Sequence, residues 1–184
     1  MEQLFTLIKK MEAGYTPPAE ELAQLVSCGE PSVEQALFEA ADRVRFKHHG
    51  NAVHVRGIIE FSNYCRCECA YCGLHAKNRQ VTRYRMTPEE ILAAAQQTVD
   101  AGYQTVILQS GEDLSYSREC VGRIVSAIKA MGNVAVTLSL GERPFEDYAY
   151  WKDCGADRYL IKHEISDETI YNRYHPHSSF QNRL

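Results

Sequence analysis

The stretch Asn63-Tyr64-Cys65-Arg66-Cys67-Glu68-Cys69-Ala70-Tyr71-Cys72-Gly73 holds four of the seven cysteines in this 184-residue chain. Three of them, Cys65, Cys69 and Cys72, have the spacing C-x-x-x-C-x-x-C and follow an apolar, β-branched run. Soft thiolate ligands select iron–sulfur clusters, zinc or copper(I). A four-iron cluster held by three cysteines leaves one iron free to bind another molecule. The spacing therefore predicts an iron–sulfur cluster that takes part in chemistry.

Other interpretations of these cysteines stay open. A structural zinc site could use Cys69 and Cys72, but it needs a second ligand pair, and no later C-x-x-C or H-x-x-x-H is present. A disulfide framework is typical of short secreted chains, and a thioredoxin-like motif leaves Cys65 unexplained. Cys67 has only one residue between it and a predicted ligand on each side, so we expect its side chain to point away and not to bind the cluster.

The composition excludes several classes of protein. The hydrophobic content of 45% and the charged content of 24% are ordinary for a globular domain. The net charge of -4 argues against a nucleic-acid partner, since nucleic-acid-binding proteins are normally basic. The chain start lacks the apolar region of a signal peptide, and no stretch reaches the ~18 apolar residues of a membrane span. We therefore expect a cytoplasmic protein with no membrane partner, in a compartment that keeps thiols reduced.

Periodicity divides the chain into two regions. Apolar residues recur at helical spacing through residues 1–50, and Ser32 is predicted to cap the last helix there. From residue 51 onward strands and helices alternate, and the helix after the cysteine stretch begins at the capping box Thr87-Pro88-Glu89-Glu90. The predicted strands are 53–61, 105–108, 134–140 and 158–161.

Strands alternating with helices of this length predict right-handed βαβ units and a parallel sheet. We therefore expect an α/β fold, a partial TIM-type (βα) barrel of about four βα units in residues 51–184, preceded by an N-terminal helical segment in residues 1–50. A closed barrel of this type has about eight strands. The pattern thus predicts the N-terminal half of a longer barrel, a truncated piece that leaves a sheet edge open.

Polar residues follow each of the predicted strands. In parallel α/β folds the active residues gather at the carboxyl ends of the strands. Taken singly, a glycine there could serve a turn and an acid could cap the next helix. Their occurrence at successive strand ends favours one shared site. Besides the cysteine stretch, the candidate residues at these ends are Ser110, Gly111, Glu112, Ser139, Glu142 and Lys162.

The cysteine motif, with the aromatic Tyr71 before its last cysteine, resembles that of the radical S-adenosylmethionine (SAM) superfamily. Further segments resemble the HydE family, the radical SAM maturase of FeFe-hydrogenase. They cover most of residues 53–184. These segments are Arg56-Gly57-Ile58-Ile59-Glu60, Leu108-Gln109-Ser110-Gly111-Glu112-Asp113, Leu138-Ser139-Leu140-Gly141-Glu142-Arg143 and Asp157-Arg158-Tyr159-Leu160-Ile161-Lys162-His163-Glu164.

The resemblance implies a role for each matching residue. The cysteine ligands of a [4Fe-4S] cluster, whose fourth iron binds the amino and carboxylate groups of SAM, would be Cys65, Cys69 and Cys72. The segment Ser110-Gly111-Glu112 would receive the methionine amino group, and Tyr71 would lie by the adenine. Ser139 and Glu142 would lie near the ribose and methionine moieties. Lys162 would lie near the carboxylate, where the family commonly has arginine, so the bidentate contact of a guanidinium is lost.

The same resemblance implies the reaction and the partners. SAM would be cleaved reductively to methionine and a 5'-deoxyadenosyl radical, with electrons from a donor such as ferredoxin or flavodoxin. The radical would act on an iron-bound small-molecule substrate during maturation of the hydrogenase H-cluster, alongside other hydrogenase maturases. Two alternatives stay open: another radical SAM enzyme, such as methylornithine synthase or biotin synthase, or a non-catalytic iron–sulfur or zinc module.

Overall fold

The computed structural model describes residues 1–184, and the chain divides into two compact units, Met1–His54 and Val55–Leu184. The first unit consists of the helices α1 (Glu2–Glu12), α2 (Ala19–Val26) and α3 (Pro31–His49). α1 packs against α3. Their core is formed by Leu7, Ile8, Leu25, Val33 and Ala40.

The start of α3 differs from the prediction. Ser32 is not the N-cap, because Pro31 already occupies the first helical position and Glu30 precedes it with no capping bond from its side chain. Proline is favoured at this position, since its φ is already helical and the missing N–H would have no partner within the helix. The helix therefore begins two residues earlier than a Ser32 cap would place it.

The second unit is an α/β fold with four parallel strands, as predicted. The strands lie in the order β1-β2-β3-β4, so each helical crossover places the next strand beside the previous one. The elements are β1 (Gly57–Ser62), α4 (Pro88–Asp100), β2 (Thr105–Ser110), α5 (Arg118–Ala130), β3 (Ala135–Ser139), α6 (Phe145–Asp153), β4 (Arg158–Tyr159), α7 (Glu168–Tyr174) and α8 (Phe180–Arg183).

Three strands are shorter than predicted, and β3 (Ala135–Ser139) loses one residue at each end. β1 begins at Gly57, which pairs with Val106 near the start of β2, so the residues before Gly57 have no strand beside them. β4 is limited to Arg158 and Tyr159, which pair with β3 on one side only. The capping box that opens α4 is confirmed, with the Thr87 side chain accepting from the Glu90 N–H and the Glu90 carboxylate accepting from the Thr87 N–H.

One face of the sheet packs against α4, α5 and α6. Alternate residues of β1 show this, because Ile59 and Phe61 are buried while Ile58 is 57% exposed. The carboxyl ends of all four strands lie at one edge of the sheet, since the strands are parallel. Core residues that are at most 3% exposed include Ile91, Val106, Leu108, Ile124, Ile128, Val136, Leu138 and Trp151. None of the helices combines the length and apolar character that a membrane span requires.

Candidate active site

A cavity of about 200 Å³ lies at the carboxyl ends of the strands. The structure brings every residue of the predicted site to its wall except Glu142. The members that line it are Cys65, Cys69, Tyr71, Cys72, Ser110, Gly111, Glu112, Ser139 and Lys162. Five further residues for which the sequence predicted no role also line it: Gly141, Leu160, Glu164, His175 and Arg183. One cavity is therefore shared by the cysteine stretch, the three other strand ends and the C-terminal residues.

The loop that carries the cysteines, residues 63–87, is held by side chains rather than by regular secondary structure. The guanidinium of Arg83 donates to four backbone carbonyl groups of this loop, including those of Asn63 and His75. The Asn63 side chain donates to the Thr82 carbonyl at 2.8 Å and accepts from the Tyr84 N–H at 2.8 Å. These bonds satisfy carbonyl and N–H groups that an irregular loop would otherwise leave without partners.

The cysteine loop is fastened to the end of β2 by backbone contacts. The Gly111 N–H donates to the Ser62 carbonyl at 3.1 Å, and the Arg66 N–H donates to the Glu112 carbonyl at 3.1 Å. The Glu112 N–H points at the Cys65 sulfur, 3.3 Å away. Gly111 lies so close to Tyr64 that a Cβ at this position would overlap the Tyr64 carbonyl oxygen. Close approach of the backbone is therefore what requires glycine here.

Cys67 does not point away from the site, and that expectation is wrong. Its side chain is buried and lines the cavity beside Cys65. A hydrogen bond from the Cys67 thiol lowers the pKa of Cys65 to about 6, against the effect of burial, and the N–H groups of Cys67 and Glu112 add to the lowering. The same contact raises the pKa of Cys67. That Cys67 is not a ligand stays a prediction.

The donor set of the loop fits an iron–sulfur cluster. Cys65, Cys69 and Cys72 all line the one cavity, and the pKa of Cys69 is raised by burial and by the two other thiols. No three histidine, cysteine or acidic side chains lie close enough together to hold a single metal ion. Soft sulfur donors at three points of one cavity wall are the ligands that an iron–sulfur cluster requires.

Glu112 is a buried carboxylate, 7% exposed, that joins three strand ends. Its Oε1 accepts from the Arg66 guanidinium at 2.7 Å, and its Oε2 accepts from the Glu142 N–H at 3.2 Å. Gly141 has a φ of +77°, and a Cβ there would lie 2.5 to 2.8 Å from atoms of the Glu112 side chain. Arg66 also contacts Oε1 through a terminal guanidinium nitrogen, so three of the roughly four lone-pair positions of the carboxylate are used and about one is left for a ligand.

Glu142 faces the C-terminal residues instead of the cavity. Its Oε1 accepts from the Ser178 hydroxyl at 2.6 Å and forms an ion pair with Arg183, whose Nε lies 2.9 Å away. Arg183 is almost buried, with 8% of its side chain exposed, and it lines the cavity. The sequence held no signal for this pair, because Arg183 lies in the short helix α8, 41 residues beyond Glu142 and outside every motif.

The cavity wall carries both signs of charge. Lys162 and Arg183 supply cations, and Glu112 and Glu164 supply carboxylates. Glu164 has a φ of +66°, a left-handed conformation that costs energy for a residue other than glycine and is enriched at functional sites. A mixed lining of this kind suits a zwitterionic ligand, whose ammonium and carboxylate groups need opposite partners.

The Asp113 carboxylate, just after β2, makes the stability of the fold depend on pH. Burial raises the pKa of its carboxyl, but hydrogen bonds from Arg85 and Ser62 outweigh burial and lower the pKa to about 2. The contribution to stability is therefore present above pH ~4, the unfolded pKa, and is lost as the pH falls toward 2. We expect Asp113→Asn to lower the free energy of unfolding by about 2 kcal/mol at pH 7 and by less at pH 3. Denaturant titrations at both pH values measure this, and an equal loss at the two would contradict it.

The family model of the radical SAM superfamily matches residues 59–184. This chain belongs to the radical SAM superfamily. Membership implies SAM and an iron–sulfur cluster as cofactors. The matched residues begin within β1 and include the cysteine loop, the four strand ends and the C-terminal residues that line the cavity.

Two curated radical SAM relatives and one solved structure place the chain within the superfamily. It is 50% identical to the [FeFe] hydrogenase maturase subunit HydE of Thermotoga maritima, over 90% of this chain and 47% of the relative. It is 28% identical to the 3-methylornithine synthase of Methanosarcina acetivorans, over 99% of this chain and 52% of the relative. The crystal structure of methylornithine synthase (PylB) superposes with a TM-score of 0.85 at 28% identity, over 96% of this chain and 53% of that one. The chain spans about half the length of the curated relatives it matches.

Proposed function

We propose that this radical SAM chain binds a [4Fe-4S] cluster through Cys65, Cys69 and Cys72 and cleaves SAM reductively. The observation that carries the proposal is the common cavity, in which the three thiols face the polar ends of the other strands. A cluster with three cysteine ligands keeps one iron open, and that iron needs a neighbouring space for its ligand. The mixed charges of the cavity wall match the amino-acid portion of SAM.

When bound, the reduced cluster supplies the electron that splits SAM into methionine and a 5'-deoxyadenosyl radical. The residues of the chain bind and orient SAM. Ser110, Gly111 and Glu112 receive its ammonium group, and Lys162 pairs with its carboxylate. Tyr71 forms the wall beside the adenine.

The third strand end supports the ribose and methionine side of the ligand. Ser139 lines the cavity and is 6% exposed, so its hydroxyl is available there and not to bulk water. Glu142 acts on the ligand through Arg183, because the 2.9 Å ion pair holds Arg183 at the cavity wall. An arginine fixed in this way presents its remaining N–H groups in one orientation.

We further propose that the chain serves in FeFe-hydrogenase H-cluster maturation, which the 50% identity to HydE supports. Its substrate is then an iron-bound small molecule, its electron donor a protein such as ferredoxin or flavodoxin, and its partners the other maturases of a cytoplasmic pathway. Residues 1–50 form a helical segment, and residues 51–184 form the N-terminal half of a (βα) barrel that further strands complete. The two compact units, Met1–His54 and Val55–Leu184, support the division, and the half-length match to the relatives supports a barrel with further strands.

Methylornithine synthesis is the second candidate, favoured by the match to the synthase in sequence and structure. Formation of 3-methylornithine by the cluster-loaded protein would establish it. Loss of FeFe-hydrogenase maturation when only this protein is omitted from the maturation mixture, with recovery when it is added back, would establish the first candidate.

Anaerobic reconstitution tests the cofactor. We expect about four iron and four sulfide per chain, with an EPR signal of the reduced cluster that changes when SAM is added. The SAM-dependent change is the decisive measurement, because a closed cluster has no iron that SAM can reach. Bound zinc without sulfide, or a cluster signal that SAM leaves unchanged, would contradict the proposed function.

A further inference from the structure

The C-terminal segment, residues 167–184, contacts the cysteine loop at three points. The Ala70 N–H donates to the Tyr174 carbonyl at 3.0 Å, and Nε2 of His177 lies 3.0 Å from the Glu68 carboxylate. Between these contacts, the Tyr71 hydroxyl lies 2.5 Å from Nε2 of His175. The middle contact is the one that reaches a residue of the cavity wall.

The direction of the bond between Tyr71 and His175 follows from the partner of the other ring nitrogen. Nδ1 of His175 lies 3.0 Å from the Tyr171 carbonyl oxygen, which can only accept. In the neutral ring we therefore assign the hydrogen to Nδ1, which leaves Nε2 as an acceptor. The Tyr71 hydroxyl then donates to Nε2. The backbone of α7 in this way sets the tautomer that can receive Tyr71.

His175 is itself held rigidly. It is 4% exposed, and its ring stacks on that of Tyr171 with centroids 4.1 Å apart and planes 17° apart. Tyr171 is fully buried, and its hydroxyl bonds to Ser178 at 2.9 Å and accepts from Nε of Arg183 at 3.0 Å. The acceptor for the Tyr71 hydroxyl is thus built into the packed part of the C-terminal segment.

Tyr71 has little else to fix it. Tyr71 is 52% exposed, and no group other than His175 bonds to its hydroxyl. The rings of His175 and Tyr174 flank it at centroid distances of 5.3 and 6.5 Å without stacking on it. An aromatic ring held in one orientation gives up less entropy when a ligand stacks on it than a ring that turns freely.

We propose that His175 is a positioning residue for SAM binding. His175 holds the Tyr71 ring as a fixed wall of the cavity. The inference rests on the proposed function, because an oriented Tyr71 matters only where the adenine of SAM lies against it. His175 acts through the Tyr71 hydroxyl and does not touch the reacting atoms.

A double-mutant cycle on the cluster-loaded full chain tests this, with the equilibrium dissociation constant for SAM as the measurement. Tyr71→Phe removes the hydroxyl from an exposed side chain, and His175→Phe removes the acceptor while keeping a ring against Tyr171. Loss of one neutral hydrogen bond should weaken SAM binding about fivefold in each variant. The double variant should be no weaker than either single variant. His175→Gln, which keeps an acceptor, should restore binding to within about twofold.

Iron and sulfide per chain are measured in every variant and should equal those of the unmodified protein. Unchanged SAM affinity in Tyr71→Phe overturns the proposal. Because Tyr71 is exposed, this substitution does not disturb a buried part of the fold. Losses that multiply in the double variant overturn it also, since they show that His175 acts independently of the hydroxyl. If the unmodified, iron-loaded chain fails to bind SAM, the proposed function itself is wrong.

Discussion

Replacing Cys65, Cys69 or Cys72 with serine should abolish cluster binding in each case. All three thiols line the one cavity, and a cluster that loses a ligand exposes a second iron to solvent. Serine is nearly the size of cysteine, but its hydroxyl oxygen is a much poorer ligand for iron than a thiolate. Iron and sulfide per chain after anaerobic reconstitution are expected to fall from about four to near zero.

Cys67→Ser is the matched control, because it changes the same atom in the same loop. Cys67 lines the cavity together with the three predicted ligands, and its thiol bonds to that of Cys65. A serine hydroxyl can donate the same bond, so this variant should keep its full iron and sulfide content. Loss of the cluster in Cys67→Ser, or its retention in any one of the other three, would contradict the assignment of ligands.

The site was predictable from sequence where it depends on local patterns. The cysteine spacing is contained in eight residues, and the residues after β2, β3 and β4 follow strands that periodicity reveals. Parallel strands in sequential order then bring their carboxyl ends to one edge. For this reason Ser110, Ser139 and Lys162 could be placed at one cavity before any coordinates were known.

Contacts between distant parts of the chain were not predictable. His175 meets Tyr71 across 104 positions, from the end of a seven-residue helix that carries no motif. Arg66 pairs with Glu112 across 46 positions, and an arginine beside a cysteine gives no sign of its partner. Cys67 turns inward because Cys65 and Glu112 surround it, which the one-residue spacing alone does not reveal.

Strand lengths also depend on neighbours. The apolar run of residues 53–61 is a strand only where β2 lies beside it, and β4 extends only as far as its pairing with Thr137 and Leu138 of β3. Ladder hydrogen bonds require a partner strand. Side-chain pattern therefore predicts that a strand exists more reliably than it predicts where the strand ends.

Gly111→Ala should separate the cysteine loop from the sheet and remove the cluster with it. The new Cβ would overlap the backbone carbonyl oxygen of Tyr64 and lie 2.8 Å from Cβ of Cys65. Neither neighbour is the flexible end of a side chain, so the loop has to move to relieve the contact. We expect the free energy of unfolding to fall by about 3 kcal/mol, and iron uptake to fall to a small fraction of that of the unmodified chain.

Gly73→Ala is the matched control, since Gly73 directly follows the last ligand and a Cβ there meets no atom within 4 Å. It adds the same methyl group to the same loop and should leave stability and iron content close to those of the unmodified chain. The comparison separates the effect of close packing from the effect of an added methyl group. Only Gly111 lies beside the contact between the Glu112 N–H and the Cys65 sulfur. If Gly111→Ala loads iron as well as Gly73→Ala does, the close packing of the loop on β2 is not what places Cys65 in the cavity.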